Sequence, residues 1–206
     1  MRCRRPPETR LPEATGVVLA GGRSTRFGRD KLGETYRGIP LFHHAILRLG
    51  EVCSEVVVVL PPGGSERPMP LGVDVRVARD PVEGEGPLAG LHAGLLAARH
   101  DVALIAAGDM PELQTRVLIE LLRVADEAQA DAVALREGDA VRPLPSIVRT
   151  TRGIDVSHAL LHDGHRALRD LLDGLRTAVV DEPTWVALDP KRRTLFDVDE
   201  PGDLAG

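Results

Sequence analysis

Gly16-Val17-Val18-Leu19-Ala20-Gly21-Gly22-Arg23-Ser24-Thr25-Arg26-Phe27-Gly28-Arg29-Asp30-Lys31 decides the reading of this chain. Its first residues form a short apolar run that reads as a buried strand. The run then breaks into a loop carrying three glycines and four cationic side chains. Glycine lets a backbone approach a ligand closely and turn its N–H groups toward it. Arg26 and Lys31 add full positive charge to those partial charges. A strand running into a glycine-rich cationic loop is one way in which α/β proteins hold phosphates. The spacing is neither that of a P-loop, which needs Gly-Lys-Ser/Thr, nor that of a dinucleotide fingerprint. An ordinary strand-to-loop turn with solvated charges fits the same residues.

The bulk composition narrows the partners. A chain of 206 residues suits one domain with a substantial core. Only 2% of residues are aromatic, so the core must be built from Val, Leu, Ala and Ile. Few aromatics argue against a base-stacking platform for single strands. A net charge of −5 argues against a general nucleic-acid binder. Any phosphate site is therefore a local cationic pocket in an acidic protein. The two cysteines, Cys3 and Cys53, make no disulfide framework and read as free thiols of a reducing compartment. No apolar run approaches the ~18 residues of a membrane span. Residues 1–13 read as a disordered tail rich in Arg and Pro, without the hydrophobic segment of a secretory signal, and 14–206 as a single domain. These features predict a cytoplasmic protein that binds neither nucleic acid nor membrane.

Strands and helices alternate along the rest of the chain. Pro40–Gly50 reads as a helix, on which His43 and His44 diverge by about 100° and are poorly placed to share a metal. Val56–Leu60 is a continuous apolar run ended by Pro61-Pro62-Gly63-Gly64, the pattern of a buried parallel strand. Val73, Val75 and Val77 alternate with Asp74 and Arg76 and lead to Asp80. Pro87 opens a helix with Leu88, Leu91 and Leu95 on one face, after glycines that could bring backbone donors to a ligand. Val102–Ala107 is a further buried strand. It delivers Gly108-Asp109-Met110-Pro111 at its carboxyl end, where open α/β sheets place their ligands. Asp109 suits either a cap of a helix starting at Pro111 or a Mg²⁺ ligand, since Mg²⁺ takes carboxylate together with phosphate oxygens. Asp131–Leu135 reads as a strand and Arg142-Pro143-Leu144-Pro145 as a Pro-rich loop. Thr151–Asp173 is a mildly basic helical segment whose histidines, His158, His162 and His165, lack zinc-site spacing. Thr177–Val180 and Thr194–Asp199 read as late strands. In the second, Asp197 and Asp199 fall on one face, or Asp199 caps a last helix before Pro201. The alternation gives an α/β fold with a mostly parallel sheet covered on both sides.

Four of these motifs together resemble one family. Leu19-Ala20-Gly21-Gly22 with Arg26-Phe27-Gly28 and Asp30-Lys31 is similar to the signature loop of Rossmann-like nucleotidyltransferases, above all the molybdenum cofactor guanylyltransferases. Gly86-Pro87-Leu88-Ala89-Gly90 and Ala107-Gly108-Asp109-Met110-Pro111 resemble two further motifs of that family. The segment from Arg142 resembles its acceptor side. At the C-terminus Asp197, Asp199 and Glu200 replace the residues of the family's Asn-x-Asn-Thr-Pro motif, a departure familiar from molybdopterin cytidylyltransferases. Val59 stands where a polar residue that touches the nucleotide is expected.

The resemblance implies a three-layer Rossmann-like nucleotidyltransferase. The implied reaction transfers GMP from GTP to the terminal phosphate of molybdenum-bound molybdopterin and releases pyrophosphate. Leu19, Ala20, Gly21, Gly22, Lys31, Asp80, Gly90 and Asp109 are the implied nucleotide contacts, and Arg26, Lys31 and Asp109 the implied catalytic set. Mg²⁺ on Asp109 and Asp199 is the implied cofactor. Transient contact with cofactor-delivery or acceptor proteins is the implied partnership. The competing readings are CTP in place of GTP, another phosphorylated acceptor, and a nucleotide-binding module without chemistry. Lys31, on a loop, is expected to contribute little to the core.

Overall fold

The structure, a computed structural model, describes residues 11–21, 31–63, 67–81 and 86–205. Gly22, Arg26, Gly84, Glu85, Cys3 and residues 1–10 lie outside the described residues. The strands are β1 (Ala14–Leu19), β2 (Thr35–Tyr36), β3 (Ile39–Pro40), β4 (Glu55–Leu60), β5 (Val75–Arg79), β6 (Val102–Ala107), β7 (Ala132–Glu137), β8 (Ala140–Arg149) and β9 (Thr177–Val180). The helices are α1 (Leu41–Gly50), α2 (Pro87–Ala97), α3 (Thr115–Ala128), α4 (Thr150–His162), α5 (Leu168–Asp173) and α6 (Glu182–Leu188).

The apolar runs lie where their composition sends them. β1, β4 and β6 are buried on both faces, as the central strands of a parallel sheet must be. They belong to a seven-stranded sheet of order β5-β4-β1-β6-β8-β7-β9, while β2 and β3 form a separate hairpin. β5, β4, β1 and β6 run parallel, and β9 is parallel to β7. β8 runs antiparallel to both of its neighbours. One face of the sheet packs on α1, α3 and Trp185 of α6, and the other on α2, α4 and α5. This is the predicted three-layer arrangement. Close packing of α2 on the sheet needs Gly94, because a Cβ there would come 2.6 Å from Val17 and 2.9 Å from Val59. Val59 is buried in that contact, so its apolar character serves packing.

From β1 the chain moves outward to β4 and β5, then crosses back to place β6 on the other side of β1. The strand order therefore reverses between β1 and β6. Outside the carboxyl ends of the strands at such a reversal is where open α/β sheets form a ligand crevice.

Three sequence expectations change. The helix expected from Pro111 begins at Thr115, because residues 111–114 are drawn aside by contacts described below. Thr194–Asp199 is not a strand: Arg193–Leu195 forms a single 3₁₀ turn, and the residues that follow bond to a loop instead of a sheet. Arg142–Pro145 is part of β8, as an irregular stretch of strand. Pro40 closes β3 immediately before α1. Leu11 packs against the core ahead of β1. Cys53 is a free thiol whose pKa burial pushes up to about 12. No helix among the described residues is long and apolar enough to cross a membrane.

The amino-terminal end of the sheet is tied by a buried carboxylate. Glu55 is 3% exposed and accepts hydrogen bonds from Thr15 Oγ1 (2.8 Å), Arg76 Nε (2.9 Å) and the Arg99 N–H (2.9 Å). Burial alone would raise its pKa, but the bonds from Arg76, Thr15 and Arg99 outweigh it and hold the pKa below the ordinary value. A lowered folded-state pKa stabilises the fold above the unfolded-state value of about 4.3, and that contribution fades as pH falls through the folded-state value. Urea melts from pH 6 to pH 3 should therefore show a shallower acid loss for Glu55→Gln than for the parent chain. Parallel slopes would contradict the assignment.

Candidate active site

The crevice between β1 and β6 gathers most of the sequence-predicted residues that are described. β1 ends in Leu19, whose carbonyl accepts the Gly108 N–H at 3.0 Å, while the Ala20 N–H donates to the Val59 carbonyl at 2.9 Å. These two bonds fix the entrance of the glycine loop between β4 and the loop after β6. Those backbone groups thus have protein partners, and exposed Gly21 is the first residue beyond them.

Lys31 starts a short 3₁₀ turn on the far side of the loop. Its Nζ lies 2.7 Å from Asp109 Oδ2 and 3.8 Å from Asp199 Oδ1, and it donates to the Val198 carbonyl at 2.8 Å. The Val198 N–H in turn donates to the Asp109 carbonyl at 2.9 Å. Lys31 and Asp109 are only 16% and 22% exposed. The lysine is therefore no solvated loop cation: it joins the loop after β6 to the C-terminal segment, contrary to the small structural part expected of it. Asp199 is the more open of the two acids, at 53%.

Val198 is buried while Asp197 and Asp199 are exposed, so the two acids do emerge on one side although the segment joins no sheet. The Asp197 pKa is raised by burial first and then by the negative charges of Asp199 and Asp109, against a smaller opposing effect of Arg142. Two carboxylates, Asp109 and Asp199, thus meet one ammonium, and Asp197 feels the charge of both. That ammonium marks a place where a cation is already welcome. Two carboxylates with room for phosphate oxygens are a donor set suited to Mg²⁺. Among the described residues no three His, Cys, Asp or Glu side chains form a ready-made metal cage.

Asp80 and Gly90 meet on the β4–β5 side. A Cβ on Gly90 would lie 3.4 Å from Asp80 Oδ2, and the Asp80 N–H bonds the Leu60 carbonyl at 2.9 Å. Gly86 precedes α2 with φ +83°, and a Cβ there would sit 2.9 Å from the Arg166 carbonyl. His43 and His44 serve separate partners, while the His92 and His158 rings lie 6.0 Å apart. His43 Nε2 pairs with the Pro68 carbonyl and His44 Nε2 with the Tyr36 carbonyl, both at 2.8 Å. His165 pairs with Asp170.

Sequence reasoning missed Glu112. This buried carboxylate accepts Tyr36 Oη at 2.7 Å and Arg193 Nη1 at 2.7 Å, and pairs with Arg37 at 2.5 Å. Nearby, the Gln114 N–H bonds Thr194 Oγ1 at 3.3 Å. These contacts hold residues 111–114 out of helix and tie the β2–β3 hairpin and the 3₁₀ turn to the loop that carries Asp109. A glutamate two residues from a helix gives no sequence signal of burial, because both arginines and the tyrosine come from distant segments.

Residues 16–182 match the family described as "MobA-like NTP transferase domain". The molybdenum cofactor guanylyltransferase of Pseudomonas paraeruginosa is 35% identical over 81% of this chain and 83% of its own. A probable molybdenum cofactor guanylyltransferase of Mycobacterium avium is 32% identical over 93% of each chain. Among solved structures, molybdopterin-guanine dinucleotide biosynthesis protein A of Archaeoglobus fulgidus superposes with a TM-score of 0.74 at 22% identity, covering 93% of this chain and 95% of its own. The 2-C-methyl-D-erythritol 4-phosphate cytidylyltransferase of Thermus thermophilus superposes at 0.66 and 20%, covering 92% and 94%. At such identities these structures speak for the fold alone.

Lys31→Ala should lower stability in urea by about 1.5–3 kcal/mol, the range for hydrogen bonds to charged groups. Combined with Asp109→Asn, the losses should be less than additive, with a coupling of about 0.5–3 kcal/mol for groups in direct contact. Strict additivity would mean that the pair does not act as one unit.

Proposed function

The chain belongs to the MobA-like NTP transferase family, and from that premise we propose that it is a molybdenum cofactor guanylyltransferase: it transfers GMP from GTP to the terminal phosphate of molybdenum-bound molybdopterin and releases pyrophosphate. The observation that carries the reading is the Lys31–Asp109–Asp199 cluster at the crevice between β1 and β6. Its place at the carboxyl ends of the strands is where a strand-order reversal opens a ligand site. The relatives' names supply the substrates.

The acceptor phosphate is itself the nucleophile, so the protein needs no covalent intermediate. Its task is positioning and charge stabilisation. The glycine loop after β1 takes the triphosphate, with Gly21 and Gly22 bringing backbone close to it, and Asp80 and Gly90 flank the nucleoside. Mg²⁺, held by Asp109 and Asp199, would neutralise charge on the phosphate oxygens. Lys31 exchanges its bond with Asp109 for the phosphates and, with Arg26 of the same loop, stabilises charge on the departing pyrophosphate. Asp197, exposed and beside the carboxylates of Asp199 and Asp109, adds negative charge on the C-terminal side of the site. Transient contact with cofactor-delivery or acceptor proteins is part of the proposal, as is a cytoplasmic location.

The direct test is product formation from molybdenum-molybdopterin with GTP, CTP or ATP in parallel. The guanine dinucleotide should form with GTP. Selective use of CTP would support the cytidylyltransferase alternative that Asp197 and Asp199 suggest, and nucleotide binding without pyrophosphate release would point to a module without chemistry.

Asp109→Asn keeps the shape of the side chain and removes its charge. Turnover should fall by roughly 10²-fold, the scale for loss of one preorganised electrostatic contact. Asp199→Asn, at the more open position, should lose less. A magnesium titration should partly rescue either variant by mass action. Full activity of Asp109→Asn at low magnesium, with Asp199→Asn inactive, would reverse the order of the two ligands.

A further inference from the structure

The three segments that meet on Lys31 meet a second time, on Glu112. This carboxylate is buried, three residues beyond Asp109. Its Oε1 accepts Tyr36 Oη at 2.7 Å and pairs with Arg37 Nη2 at 2.5 Å. Tyr36 and Arg37 belong to the segment that Lys31 begins. There the Glu34 N–H bonds the Lys31 carbonyl at 3.1 Å and the Leu41 N–H bonds the Glu34 carbonyl at 2.8 Å, so turn and hairpin form one unit. The Oε2 of Glu112 accepts Arg193 Nη1 at 2.7 Å. Arg193 opens the 3₁₀ turn that leads into Val198 and Asp199. One carboxylate oxygen therefore holds the hairpin, and the other holds the C-terminal segment.

The two junctions are opposite in sign and differ in fate. At the first, an ammonium joins Asp109 to Asp199, and the proposed reaction opens it when Lys31 moves to the phosphates. At the second, a carboxylate joins two guanidinium groups and a phenol. Burial and the bond to Glu112 push the Tyr36 pKa up, so the phenol stays a donor. None of these four side chains has a part in the reaction as proposed, so the second junction stays closed while the first opens. Once the ammonium has gone, Asp109 and Asp199 repel each other. Their segments must be held together against that repulsion. The bond from the Val198 N–H to the Asp109 carbonyl, at 2.9 Å, is one restraint. Charge-assisted bonds from two arginines to one carboxylate are a stronger one.

We propose that Glu112 is a positioning residue for the metal: through Tyr36, Arg37 and Arg193 it keeps Asp109 and Asp199 within reach of one cation after Lys31 has left, and so sets the Mg²⁺ requirement of the nucleotide complex. The inference rests on the guanylyltransferase reading given above, in which the two aspartates hold Mg²⁺. Glu112 acts at a distance, since its own oxygens are taken up by its three partners.

GTP binding titrated across magnesium concentrations tests this without turnover. GTP should bind the wild type more tightly as Mg²⁺ is added. Glu112→Gln keeps the shape and removes the charge, while Arg193→Gln removes the C-terminal arm. In each variant the Mg²⁺ concentration giving half of that gain should rise about tenfold or more, the scale on which outer partners of metal ligands act. GTP affinity in EDTA should stay at the parent value, because the bonds that fix the glycine loop, Gly108 to Leu19 and Ala20 to Val59, involve none of these residues. The two variants together separate positioning from long-range charge. Glu112→Gln makes the region more positive and Arg193→Gln more negative, so charge alone would shift the Mg²⁺ requirement in opposite directions. Asp131→Asn is the stability control: it weakens the pair with Arg176 just before β7, and should lower stability while keeping the parent Mg²⁺ requirement. If Glu112→Gln does not fold, Arg193→Gln decides, since that arginine is 41% exposed. A parent-like requirement in the folded variants, or shifts of opposite sign, would overturn the proposal. An equal shift in Asp131→Asn would trace the effect to lost stability and overturn it too. A wild type whose GTP binding ignores Mg²⁺ would instead remove the metal from the underlying reading, and the proposal with it.

Discussion

The ammonium of Lys31 holds the candidate site together. It lies 2.7 Å from Asp109, donates to the Val198 carbonyl and is 3.8 Å from Asp199. Three segments far apart in sequence meet on it: the end of the glycine loop, the turn after the central strand β6, and the C-terminal stretch. None of the three has a regular hydrogen-bond ladder of its own at that point. A lysine ammonium has three donors and no acceptor, so it suits a site made of carboxylates and a carbonyl. The carboxylates that it bridges are a donor set suited to a metal cation, while the ammonium itself carries the charge that suits phosphate.

The sheet makes this meeting possible. The strand order reverses between β1 and β6, the place where open α/β sheets form a ligand crevice. The bonds from Gly108 to Leu19 and from Ala20 to Val59 keep the walls of that space in register. Glu112 does the corresponding work farther out, binding the β2–β3 hairpin and Arg193 to the loop that carries Asp109. β8 closes the other side, with its irregular stretch at residues 143–145. A site assembled from loops is thus held by strands, a buried carboxylate and a shared cation, each from a different part of the chain.

Much of the fold was legible because its central strands are apolar without interruption. Val56–Leu60 and Val102–Ala107 could only be strands buried on both faces, and both are. Asp109 was legible because it follows such a strand directly. The misreadings have a common cause. The Pro111 turn resembled a helix start until Glu112 was seen to be held by Tyr36, Arg37 and Arg193, none of which is near it in sequence. Thr194–Asp199 has the alternation of a strand, but Val198 spends its backbone groups on Asp109 and Lys31. Arg142–Pro145 reads as a Pro-rich loop, and only the pairing of Arg142 with Leu135 shows that it continues β8. Periodicity reports burial well; it does not report which distant groups will share a charge.

The central claim is that Lys31 is a stand-in cation, which leaves Asp109 when the nucleotide arrives. A structure of the protein crystallised with GTP and Mg²⁺ tests it most directly. The account predicts that Nζ of Lys31 will have moved from the Asp109 carboxylate onto phosphate oxygens, with the metal on Asp109 in its place. A fully occupied triphosphate with Lys31 still bonded to Asp109 would contradict it.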